Sequence, residues 1–103
     1  MNYALINKMT TKHGKRDEVL KIMLESGAAF NENQNCLLYV VSKDKKEENV
    51  LWVQDVWKDE KSHQDAMVDK AMQEYVKQAM LLLKGMPEQI EIVLAGGKSD
   101  FTD

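Results

Sequence analysis

Asp55-Val56-Trp57, with His63 six residues further on, puts a carboxyl, an indole and an imidazole into one short stretch of chain. An imidazole of ordinary pKa, about 6.5, can take a proton from a phenol or hydroquinone at neutral pH. An indole offers a flat apolar wall for a flat substrate. Asn7 is a further candidate, because a carboxamide on an otherwise apolar strand face can donate to a substrate carbonyl or a developing oxyanion. Each of the three also has a purely structural reading. His63, between Ser62 and Gln64, could face water; Trp57 could simply anchor the core; Asn7 could cap an edge or a turn.

Positioning these groups falls to elements whose patterns are readable. Tyr3 to Thr11 alternates and is β-prone, with Tyr3, Leu5, Asn7 and Met9 on one face. From Arg16 to Phe30 the apolar positions Val19, Leu20, Met23, Leu24 and Phe30 follow a helical period, and Asp17 and Glu18 suit its first turn. Leu37 to Ser42 and Val50 to Trp57 read as strands joined by a charged hairpin loop over 43–49. Val53, Asp55 and Trp57 share one face of the second of these; Trp52, Gln54 and Val56 share the other. Asp59 is the expected N-cap of a helical pattern reaching Leu83, with a break near Val68 to Lys70. Gly85 reads as its C-cap, Pro87 blocks continuation, and Glu88 to Ala95 alternates again.

The order β-α-β-β-α-β is the ferredoxin-like pattern, an α+β fold with a four-stranded antiparallel sheet and helices on one face. Residues 1–95 are expected to form this one domain, and 96–103 a flexible C-terminal tail. The uncovered sheet face would carry Ala4, Ile6, Trp52 and Val56, too apolar to stay wet, so a two-fold homodimer is expected. Asp55 shares the helix-facing side with Trp57, and a buried carboxylate there needs a partner that the sequence does not name. Tyr39 and Tyr75 could contribute hydroxyls or only pack. Met23, Met67, Met72 and Met80 fall on helix stripes facing the sheet, as core filler or as an adaptable apolar lining.

Composition removes several classes of function. The 103 residues carry a net charge of −3 with scattered basic residues, which argues against a nucleic-acid partner. No apolar run approaches the roughly 20 residues that span a bilayer, and the N-terminal residues lack a signal-peptide pattern. The single cysteine, Cys36, fits a reducing cytoplasm and reads as a buried, inert thiol. Two histidines and one cysteine, far apart, give no metal-ligand cluster. Dinucleotide, Walker and nucleophile-elbow motifs are absent from the sequence.

Asn35-Cys36-Leu37-Leu38-Tyr39 followed by Asp55-Val56-Trp57-Lys58-Asp59-Glu60 resembles the antibiotic biosynthesis monooxygenase family. That family's pattern is Gly-Cys-x-x-Tyr on the second strand and Glu-x-Trp closing the third, so Asp55 stands where a glutamate is usual. Pro87-Glu88-Gln89-Ile90-Glu91 with Gly96-Gly97-Lys98 is similar to its quinol monooxygenase branch. The resemblance implies a dimeric α+β barrel in which each subunit holds a pocket between sheet and helices. It implies oxidation of a small aromatic quinol or phenol by molecular oxygen, without flavin, metal or heme cofactor. It also implies that Trp57 lines the pocket, that His63 occupies the place of a catalytic tyrosine, and that Asn7 touches substrate. Ala66 and Val76 stand where heme-degrading relatives carry a tryptophan and, nearby, an axial histidine, so heme degradation is not expected. Two other functions stay open on this scaffold. One is isomerisation of small phosphorylated signalling sugars, for which Lys8 and Lys70 are the nearest cations and Lys8 has the wrong parity. The other is a non-catalytic ligand-binding or stress-response module.

Overall fold

The alternation of apolar and polar residues becomes a four-stranded sheet in a computed structural model that describes residues 1–98. The chain runs β1 (Tyr3–Thr10), α1 (Arg16–Ala28), β2 (Cys36–Lys43), β3 (Val50–Trp57), α2 (Glu60–Met67), α3 (Lys70–Leu81) and β4 (Glu88–Ile92). The strands lie in the order β2-β3-β1-β4 and every pairing is antiparallel, the ferredoxin-like arrangement. Residues 99–103 of the expected tail lie outside the described residues.

The second helical region is two helices because it contains two N-caps. Asp59 accepts a hydrogen bond from the backbone N–H of Ser62 at 2.8 Å, and Asp69 accepts one from Met72 at 3.1 Å. A new start at Asp69 ends α2 after Met67 and lets α3 take its own direction across the sheet. Helix α3 stops at Leu81, before the C-cap expected at Gly85. The reason is a competing ladder: Leu83 bridges Thr11, and the Lys84 N–H donates to the Thr10 carbonyl at 2.7 Å. Gly85 then turns the chain with φ +85°, a conformation side chains resist.

Three further expectations are corrected. Leu24 is 55% exposed, because α1 turns Val19, Met23 and Ser26 toward the sheet instead. Strand β4 ends at Ile92 rather than Ala95, since both backbone groups of Leu94 bond the Asn2 carboxamide and not a ladder partner. On the outer sheet face, Ala4 and Val56 are already buried within one chain, beside a depression rimmed by Leu38, Ile92 and Leu94. The apolar residues left open there are Val40, Ile90 and Ile92.

Between sheet and helices lie two apolar clusters. One gathers Val19, Met23, Leu51, Val53, Ala79 and Leu83. The other gathers Phe30, Trp57 and Met72, with Phe30 meeting Trp57 edge-on at 5.1 Å. Gly27 lets α1 approach β2 closely: a Cβ there would stand 2.4 Å from the Tyr39 ring.

Candidate active site

Asn7 and Asp55 share the helix-facing side of the sheet because both occupy odd positions in strands whose register pairs Asn7 with Val53 and Leu5 with Asp55. His63 comes down onto that side from the first turn of α2, one residue beyond the Ser62 that Asp59 caps. All three line one cavity of about 300 Å³ between the sheet and the helices, walled from both apolar clusters. Protein interiors are otherwise close-packed, and a hollow of this size sits at the small end of ligand pockets, roughly 300–1,000 Å³.

Five of the seven methionines, Met9, Met23, Met67, Met72 and Met80, belong to the apolar lining. Tyr39 and Tyr75 also line it. The Tyr39 hydroxyl is already committed, donating to the Met23 carbonyl at 3.1 Å beside Ser26. Trp57 is not among the lining residues. It is fully buried behind Asp55 and gives its indole N–H to Asp55 Oδ2 at 2.6 Å. Its ring meets the His63 imidazole edge-on at 5.5 Å, and the Tyr3 ring meets the same imidazole, tilted, at 5.4 Å.

The sequence reading omitted Gln89, Ser26, Phe30, Met9 and Pro87 from this lining. Gln89 pairs in register with Asn7, so two carboxamides stand side by side at one edge of the hollow. Its signal was present, since Ile90 and Ile92 facing outward put Gln89 inward. A serine in the middle of α1 carries no comparable signal.

Burial sets the protonation of the site. It pushes the Asp55 carboxyl up to about 6, against the downward pull of the Trp57 N–H. It holds the His63 imidazole below its ordinary value, while Glu60 and Glu91 oppose the shift. At neutral pH the cavity therefore holds an ionised carboxylate and a neutral imidazole. Burial raises the Tyr39 hydroxyl and takes the Cys36 thiol up to about 11, so both stay protonated. The Tyr3 hydroxyl, which donates to Glu91, rises to about 12.

Among the described residues no lysine or arginine lines the cavity. Lys8 lies on the opposite sheet face, 5.7 Å over the Trp52 ring, and Lys70 is exposed at the start of α3. A phosphorylated sugar would call for such a cation, and the described lining offers none. Among the described residues no group of three His, Cys, Asp or Glu side chains could hold a metal ion, and no helix is long and apolar enough to cross a membrane.

The fold recurs among solved structures. A candidate antibiotic biosynthesis monooxygenase from Chloroflexus aurantiacus J-10-fl superposes with a TM-score of 0.85 at 29% identity, covering 96% of this chain and 98% of that one. SnoaB, a cofactor-independent oxygenase from Streptomyces nogalater, gives 0.82 at 14% identity over 96% and 98% of the two chains. Rv0793 from Mycobacterium tuberculosis gives 0.86 at 11% identity over 96% and 100%. The two likenesses of low identity speak to the fold alone. No curated protein matches the chain. The family model described as antibiotic biosynthesis monooxygenase matches residues 2–78, and the chain belongs to that family.

Proposed function

We propose that this protein is a cofactor-independent monooxygenase that oxidises a small aromatic quinol or phenol with molecular oxygen, acting as a homodimer. The observation that carries the reading is the convergence of Asn7, Asp55 and His63 on one methionine-walled hollow of about 300 Å³. A reduced hydroquinone brings its own electrons, so the protein has only to bind, deprotonate and desolvate it. Neutral His63 takes the first hydroxyl proton. Asn7, with Gln89 beside it, donates to the oxyanion that results. The thioethers and Phe30 hold the flat ring in a dry environment. The likeness to SnoaB, named a cofactor-independent oxygenase, agrees in fold with this chemistry. Pairing of two chains through Val40, Ile90 and Ile92 would cover the open apolar part of the sheet.

Oxygen uptake with chemically reduced naphthoquinones tests the reading. Wild type is expected to accelerate uptake above the autoxidation rate, and His63→Ala to lose about 10²-fold of that acceleration. Equal acceleration by His63→Ala removes the imidazole from the chemistry. Quinone binding without any oxygen uptake identifies a non-catalytic ligand-binding module instead.

A further inference from the structure

We infer that Asp55 is a second catalytic proton-transfer group, the one that breaks down the oxygen adduct of the substrate. The inference rests on the quinol reading above and assigns it a step that His63 does not perform. Asp55 is 6% exposed yet lines the cavity. Its Oδ2 is held by the Trp57 indole at 2.6 Å. Oδ2 carries the hydrogen bond that the carboxylate makes among the described residues, which leaves Oδ1 without a donor in a side chain that lines the hollow. The result is a carboxylate fixed at one oxygen and available at the other, in a dry apolar pocket.

The reaction needs such a group. After His63 takes a hydroxyl proton, a ring carbon of the quinolate bonds to oxygen, and the imidazolium returns that proton to the peroxide. The adduct is then a carbon bearing one hydrogen and one hydroperoxyl group. Its productive decay breaks the C–H and O–O bonds together. The C–H electron pair becomes the new C=O bond, and the O–O pair leaves on hydroxide. Asp55 accepts the carbon's proton and passes it to the hydroxide, which departs as water. One oxygen atom ends in the hydroxyquinone and the other in water; carbon is oxidised and peroxide reduced, with no outside reductant. Without a base at that carbon the adduct decays instead to quinone and hydrogen peroxide, a route that balances equally.

Trp57 is the positioning residue of the pair, since it touches Asp55 and His63 but not the cavity. The titratable groups that feel the charge of Asp55 are Tyr3 on β1 and Cys36 and Tyr39 on β2, and His63 on α2 lines the same cavity. The two hydroxyls and the thiol stay protonated across the neutral range, leaving His63 as the other group that changes charge there.

The test measures oxygen uptake, hydroxyquinone and hydrogen peroxide together, for wild type, Asp55→Asn, Asp55→Glu and Trp57→Phe. Wild type is expected to yield mostly hydroxyquinone. Asp55→Asn is expected to lower the hydroxyquinone formed per oxygen consumed by about 10²-fold, with hydrogen peroxide making up the difference. Asp55→Glu restores part of the hydroxyquinone yield. Trp57→Phe removes the indole donor and moves the acidic limb of hydroxyquinone formation to higher pH. A damaged fold lowers uptake and product in parallel and is read from the unfolding transition; a folded Asp55→Asn that keeps the wild-type ratio of hydroxyquinone to oxygen consumed overturns the assignment. Absence of uptake by wild type with every quinol overturns the parent reading itself.

Discussion

Trp57 donates its indole N–H to the carboxylate of Asp55, its neighbour two positions back on the same face of β3, at 2.6 Å. The chain makes the same pairing once more in the hairpin loop, where Trp52 donates to Asp44 at 2.8 Å. The two carboxyls go opposite ways. Asp44, bonded by Trp52 and also by the backbone N–H groups of Glu47 and Lys46, falls to about 2. Asp55, with one donor and little water, rises to about 6. Solvent access and donor count decide the direction, not the indole.

Asp55→Asn should therefore stabilise the protein at neutral pH. The folded carboxyl titrates at about 6 and the unfolded one at 3.8, so its contribution is fully present below the unfolded value and is lost as pH rises through 6. The lost contribution is on the order of 2–3 kcal/mol above pH 7. Asparagine keeps an oxygen for the Trp57 N–H and never ionises. Thermal unfolding should show the variant above wild type at pH 7.5, with the gap closing toward pH 4. A gap independent of pH would mean that the folded Asp55 carboxyl titrates as it does in the unfolded chain, with no upward shift from burial.

His63 should titrate on the other side of its reference value. Burial lowers its pKa, so the folded state favours the neutral ring, and its contribution to stability is present above about 6.5 and lost as pH falls. An NMR titration of the imidazole C–H signals of His63 should give a midpoint below the ordinary value of about 6.5. A midpoint above 6.5 would show that Glu60 and Glu91 outweigh burial.

Strand parity was the legible part of this site. Alternation alone put Asn7, Asp55 and Trp57 on the helix-facing side, and the register bears out that sharing of a face. What alternation does not carry is depth along that face. Trp57 and Asp55 have the same parity, yet the indole sits behind the carboxyl and away from the cavity, because Phe30 and Met72 close over it. The partner of Asp55 was illegible for a related reason: a bond between residues two apart on one face depends on side-chain rotamers, which the pattern does not specify. The split of the second helix, by contrast, was readable from Asp69.

Gly27→Ala should destabilise, against the usual gain of about 1 kcal/mol for alanine over glycine inside a helix. The added Cβ would lie 2.4 Å from the Tyr39 ring. That ring cannot swing aside freely, since its hydroxyl bonds the Met23 carbonyl and its edge packs on Phe30 at 5.1 Å. A net loss of about 1–3 kcal/mol is expected in chemical denaturation, the range for overpacked cores. A gain in stability would show that α1 and β2 are free to separate.

Ile90→Lys should convert a dimer to a monomer without unfolding it. Ile90 is 55% exposed and stands opposite Ile6 in the β1–β4 register, with Ile92 two residues further along the same face. A charge placed there disfavours pairing with a second copy while remaining solvated in the single chain. Light scattering should give about twice the chain mass for wild type and one chain mass for the variant. A wild-type protein of one chain mass at all concentrations would leave this face without a partner copy.

Val76→Phe should separate the cavity from the fold that surrounds it. Val76 lies on α3, lines the cavity and is 43% exposed, so a larger side chain can turn into the hollow without displacing packed neighbours. A ring there removes volume that a flat ligand would use and adds apolar contact with the methionine walls. Binding of a naphthoquinone, followed by tryptophan fluorescence, should weaken by about tenfold or more, equivalent to about 1.4 kcal/mol. The unfolding temperature should hold or rise, since filling a void replaces contacts that the open cavity lacks. Unchanged affinity in a folded variant would mean that the quinone binds elsewhere, and Asn7, Asp55 and His63 would then surround a hollow with another use.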